Sequence, residues 1–148
     1  MEITDSQHEF SINLVGDKTK QTYLGDFKAK CLLTPLEKIS ADREYRELMG
    51  ENIIMASDET KKLAFALSQL KYRLIEYPPF WDNRTIGGGH IQDSNIIAEV
   101  FNKAIEAEEK YIETKVNEAK EIEKRLQNAI KKKHIEKSEE EEIEKVID

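Results

Sequence analysis

The chain has 148 residues, a formal net charge of -7, 39% hydrophobic and 36% charged residues, and a single cysteine. That balance excludes a wholly disordered chain, which would be less apolar, and a compact globule of ordinary shape, which would carry fewer charges. It suits a mostly helical α+β protein that exposes much helix surface, and the lone Cys31 excludes an internal disulfide framework.

Phe10, Ile12 and Leu14 alternate with polar residues, Gly16 to Lys20 reads as a turn, and Tyr23, Gly25, Phe27, Ala29 and Cys31 alternate again. Two such runs predict a β-hairpin over 9–31 whose apolar face must be covered by helices or a partner. Thr34-Pro35-Leu36-Glu37 reads as a capping box with proline at the first helical position, which starts a helix over 35–49 stopped by Gly50. Its stripe of Leu36, Ile39, Ala41, Tyr45, Leu48 and Met49 predicts one buried face.

Ser57 opens a second helix over 58–77, with Leu63, Leu67, Leu70, Leu74 and Tyr77 at helical spacing and Pro78-Pro79 ending it. This is the most apolar segment and the expected centre of the core. Residues 78–92 form an irregular loop holding Phe80, Trp81, Gly87-Gly88-Gly89 and His90. The glycine run precedes a helix, but no Lys-Ser/Thr follows it, so a P-loop is excluded; a connector, a recognition loop displaying Phe80 and Trp81, and a Trp81 folded back onto the leucine-rich second helix all stay open.

Asp93 or Ser94 is expected to cap a third helix. Ile97, Phe101 and Ala104 belong to its packed first turns, so 1–106 reads as a small α+β domain and 107–148 as a charged helical arm. A helix from Ser94 to about Lys137 would be ~66 Å long at ~1.5 Å per residue, and Ser138 with Glu141 offers a restart. The arm carries the stripe Ile105, Ile112, Val116, Ala119, Leu126 and Ile130, which Glu109 and Glu123 interrupt. A narrow apolar ridge of this kind is expected at a protein interface, so the candidate interface residues are Phe80, Trp81 and the six stripe residues.

The three histidines lie far apart, no zinc-ligand spacing occurs, and no polar constellation sits in an apolar setting, so no catalytic, cofactor or metal site is expected. The basic run Lys131-Lys132-Lys133-His134 is answered by Glu139 to Glu142, which argues against nucleic acid as a partner. With no signal-peptide pattern at Met1 to His8 and no run of ~20 apolar residues, no membrane association is expected, and a reducing cytoplasm is the expected site of synthesis.

The runs Phe10-Ser-Ile-Asn-Leu-Val-Gly-Asp-Lys-Thr, Tyr23-Leu-Gly-Asp-Phe-Lys-Ala-Lys, Leu33-Thr-Pro-Leu-Glu-Lys, Ala41-Asp-Arg-Glu-Tyr-Arg-Glu-Leu-Met-Gly and Leu70-Lys-Tyr-Arg-Leu-Ile-Glu-Tyr-Pro-Pro-Phe-Trp resemble small structural and assembly proteins of tailed bacteriophages. The resemblance covers the first two-thirds of the chain and brings no site residues. It implies a non-enzymatic virion component, in the virion or the host cytoplasm, that binds capsid or tail subunits or itself within an oligomeric assembly. The alternatives are a transient tail-assembly chaperone absent from the virion and a small acidic regulator of a host protein.

Overall fold

A computed structural model describes residues 6–83 and 88–147, residues 52 and 138–147 by their backbone alone. The order is β1 (Gln7–Val15), β2 (Thr22–Lys30), α1 (Pro35–Met49), a 3-10 turn (Gly50–Ile53), α2 (Asp58–Arg73), β3 (Leu74–Glu76) and α3 (Ser94–Ile147). The fold is therefore α+β and mainly α. Two compact units divide the chain, residues 1–111 and 112–148. Ala107 is buried and Glu108 is paired with Arg73. These contacts fall beyond the composition change at 107 and carry the first unit past it.

In the first unit β1 and β2 pair antiparallel, with Phe10 opposite Phe27, Ile12 opposite Gly25 and Leu14 opposite Tyr23. Strand periodicity puts these residues on one face, where the Phe10 and Phe27 rings stack at 5.2 Å. The other face is polar: Glu9 lies opposite Lys28, and the Ser11 hydroxyl donates to Asp26.

α1 starts as its capping box dictates: the Thr34 hydroxyl accepts from the Glu37 amide, and the Glu37 carboxylate accepts from the Thr34 amide. Lys30 also pairs with Glu37. Burial raises the Glu37 carboxyl pKa, but the bonds from Lys30 and Thr34 outweigh it and leave it lowered. The expected single buried face is only partly present. Ala41 and Met49 are buried, whereas Leu36 is 72% and Ile39 56% exposed. α1 meets α2 through Tyr45 on Phe65 and Glu44 on Lys71, contacts that lie away from its first turn.

α2 ends at Arg73, four residues before the predicted end, and Leu74–Glu76 joins the sheet beside β2 as its third strand. Proline disfavours helical backbone in the residue before it, so Tyr77 is pushed toward extended geometry ahead of Pro78. The free edge of β2 then takes up the backbone groups, with Ala29 opposite Leu74 and Lys28 opposite Glu76.

α2 and the start of α3 lie side by side and parallel. Phe65 meets Phe101, and eight residues further along α2 Arg73 meets Glu108, seven residues further along α3. The core between sheet and helices holds Ile12, Phe27, Ala66, Leu70, Leu74, Trp81, Ile96, Ile97 and Val100. α3 runs to Ile147 as one helix, with no restart at Ser138.

Candidate functional site

Of the residues expected at an interface, Phe80 and Trp81 belong to the core instead. Trp81 is 1% exposed, its ring meets Phe27 edge-on at 5.8 Å, and its indole N–H donates to Asn83, which itself donates to the Lys71 carbonyl of α2. Phe80 is half-buried with its ring steeply inclined to those of Tyr23 and Phe27, at 5.2 and 6.1 Å. The reason is a gap in the sheet. A Cβ at Gly25 would lie 2.6 Å from the Pro78 ring and 3.3 Å from Phe80, so the glycine admits the Pro78–Phe80 segment onto the strands. Gly87 lies outside the described residues, as does the acidic start at 1–5. Gly88 packs under Trp81.

The start of α3 is positioned by a carboxylate. Asp93 is fully buried. One of its oxygens accepts from the Lys18 and Thr19 amides, both at 2.8 Å, and the other from the Thr19 hydroxyl at 2.6 Å and the Tyr23 hydroxyl at 3.0 Å. Burial pushes the carboxyl pKa up. The bonds from the Thr19 hydroxyl and amide, the Lys18 amide and Tyr23 outweigh it and hold the pKa down at about 2. Tyr23 is raised by its own burial and by the Asp93 bond and charge. Next along the helix, the Asn95 carbonyl oxygen accepts from the Asp17 amide and its amide donates to the Val15 carbonyl. The expected capping role of the Asp93 side chain is thus replaced by a tether to the β1–β2 turn.

Beside this tether, a cleft of about 400 Å³ opens between the N-terminal halves of α2 and α3. It is lined by the apolar Leu63, Phe65, Ala66, Ala98 and Phe101 and the polar Glu59, Lys62, Asn95 and Asn102. At the other end of the α2–α3 contact the buried Arg73 donates to Glu108 and Gln69, while its Nη1 has no hydrogen-bond partner among the described residues. Burial raises the pKa of the nearby Cys31 thiol. The Arg73 charge lowers it and Glu108 raises it, with a net shift upward.

The remaining stripe residues divide between the two units. Ile105 is half-buried in the first. In the second, every described side chain from Ile112 to Lys137 is exposed. Ile112 (46%), Val116 (45%), Leu126 (59%) and Ile130 (64%) line one side of the helix with Ala119. Ile122, 56% exposed, adds a large apolar group beside the ridge that the strict stripe leaves out. Around these lie Lys115 with Glu118 and Arg125 with Glu121, surface ion pairs at 3.4 and 3.5 Å of small energetic weight. Helical spacing alone places the ridge residues together, because a straight helix turns them to one side wherever it runs.

Among the described residues no group of three or more His, Cys, Asp or Glu side chains could hold a metal ion, and no helix is long and apolar enough to cross a membrane. Comparison with known proteins finds no matching family model, curated protein or solved structure.

Proposed function

We propose that the chain is a non-enzymatic binding protein that works by burying the Ile112–Ile130 ridge against other protein, as a structural or assembly component of a tailed bacteriophage. The observation that carries the binding role is the ridge itself. Four large apolar side chains at helical spacing, each close to half exposed or more, form an apolar strip broken only by Glu123, on a segment with no exposed aromatic and no buried polar group. Covering such a strip removes apolar surface from water and needs only a complementary helix or groove. The phage setting rests on the sequence resemblance, which implies capsid or tail subunits as the surroundings.

The reading is tested by fractionating assembling and finished particles made with the wild-type chain or with Leu126→Glu. The wild-type chain is expected to co-sediment with particles and the variant to remain in the unassembled pool. Wild-type chain found with assembling intermediates but missing from finished particles would identify a chaperone. Equal incorporation of both chains would remove the ridge from the account.

A further inference from the structure

We propose that the ridge is covered by the same ridge of a second copy, running antiparallel, with a two-fold axis near residue 121. This inference rests on the reading of the ridge as a binding surface and names its occupant. At ~100° per residue, Ile112, Val116, Ala119, Glu123, Leu126 and Ile130 fall within an arc of roughly 80°. Their spacing alternates four and three residues, the spacing of a helix-pairing seam. The one charged member is Glu123, and it decides the orientation.

A parallel, in-register pair stacks Glu123 on Glu123 in the seam and sets Lys115 beside Lys120 of the other copy on the flank. Both are like-charge contacts, and the seam pair is also desolvated. An antiparallel pair centred on residue 121 removes both. Ile112 then faces Ile130 of the second copy, Val116 faces Leu126, and Ala119 faces Glu123.

The small alanine leaves room for the Glu123 stem, and Lys120, the residue after Ala119, flanks that layer. On that flank Lys120 of one copy lies beside Lys120 of the other, and the two Glu123 carboxylates next to them offset this like-charge contact and leave the cluster about the axis neutral. On the other flank Ile122 of one copy meets Ile122 of the other. The two features that spoil a parallel seam, an acidic residue within it and an exposed isoleucine beside it, each find a matching partner in this arrangement and no other in-register one.

The test uses the full chain carrying Ile112→Cys, Ile130→Cys or Ile122→Cys, the buried Cys31 being retained. Under mild oxidation a mixture of the 112 and 130 variants is expected to give chiefly the 112–130 cross-link, and the 122 variant to link to itself. Sedimentation of the unmodified chain is expected to show dimer, and Leu126→Glu to weaken it by at least about tenfold, as placing a charge in a desolvated seam does. Predominant 112–112 cross-links would overturn the antiparallel orientation. A chain that stays monomeric at several hundred micromolar would overturn self-pairing while leaving the ridge free to bind another protein, which the particle-fractionation experiment reads separately.

Discussion

The Asp93 carboxylate accepts both the hydroxyl and the amide of Thr19, at 2.6 and 2.8 Å, across a separation of 74 residues. This clamp joins the first tight turn of the chain to the start of its last helix, so one buried anion, with Asn95 beside it, adds polar bonds to the core packing that holds α3 on the sheet. Backbone amides that would otherwise lie unpaired in the turn are satisfied by it, and the carboxylate is in turn stabilised in its charged form.

Asp93 makes stability depend on acid in a defined window. Its carboxyl, ordinarily near 3.8, sits at about 2 in the folded chain. The unfolded chain therefore binds the extra proton between pH 4 and pH 2, and the contribution is present above pH 4 and lost as pH falls toward 2. Denaturant melts across this range should show the first unit weakening, and Asp93→Asn should be less stable at pH 7 with a flatter acid limb. An unchanged acid limb in the variant would assign the pH dependence to other carboxylates.

Two glycines are contact points. A Cβ on Gly16 would lie 2.2 Å from the Asp93 carboxylate, which four hydrogen bonds hold in place, and one on Gly25 would lie 2.6 Å from Pro78. Gly16→Ala and Gly25→Ala should each cost about 1–3 kcal/mol through forced displacement. Gly25→Ala should also raise the accessibility of Trp81, read as a red shift of its fluorescence.

The sequence shows the hairpin, α1 with its capping box, and the bulk of α2 directly, because each depends on local periodicity or a cap. It hides β3, because Leu74 and Tyr77 continue the leucine spacing while the proline restriction and the open edge of β2 act against it. Trp81 reads equally as displayed or as folded back onto α2, and the gap at Gly25, a property of the strand lying against it, draws its loop onto the core. Asp93 looks like a cap, and its actual partners are 70 or more residues away. The ridge is readable because helix geometry fixes which residues share a side, whereas Ile122 gains meaning only once a second surface is set against it.

Arg73 and Glu108 should respond unequally to removal. The Arg73 side chain is 4% exposed and that of Glu108 is 19% exposed. Glu108→Gln leaves a buried cation facing a neutral amide and should cost up to about 3 kcal/mol, whereas Arg73→Met leaves unpaired the Glu108 carboxylate, which solvent reaches more readily, and should cost less. Comparing the two variants by thermal denaturation checks the order.

Cys31 should be silent in the native state. Burial raises its pKa and shields it, so a thiol reagent should label the folded chain far more slowly than chain unfolded in guanidinium. Rapid labelling without denaturant would show that the chain around the end of β2 opens readily.

Leu126→Glu should leave the melting of the first unit within about 0.5 kcal/mol of wild type, since Leu126 is exposed in the second unit. Any loss of association in that variant then belongs to the ridge and not to misfolding.

Amide hydrogen exchange across residues 112–130, followed as protein concentration is raised, tests the ridge as a binding surface most directly. Protection there should rise with concentration in the wild-type chain and stay low in Leu126→Glu, while protection of α2 stays constant in both. Exchange across 112–130 that is independent of concentration and identical in the two chains would show that the ridge is not covered by a second copy.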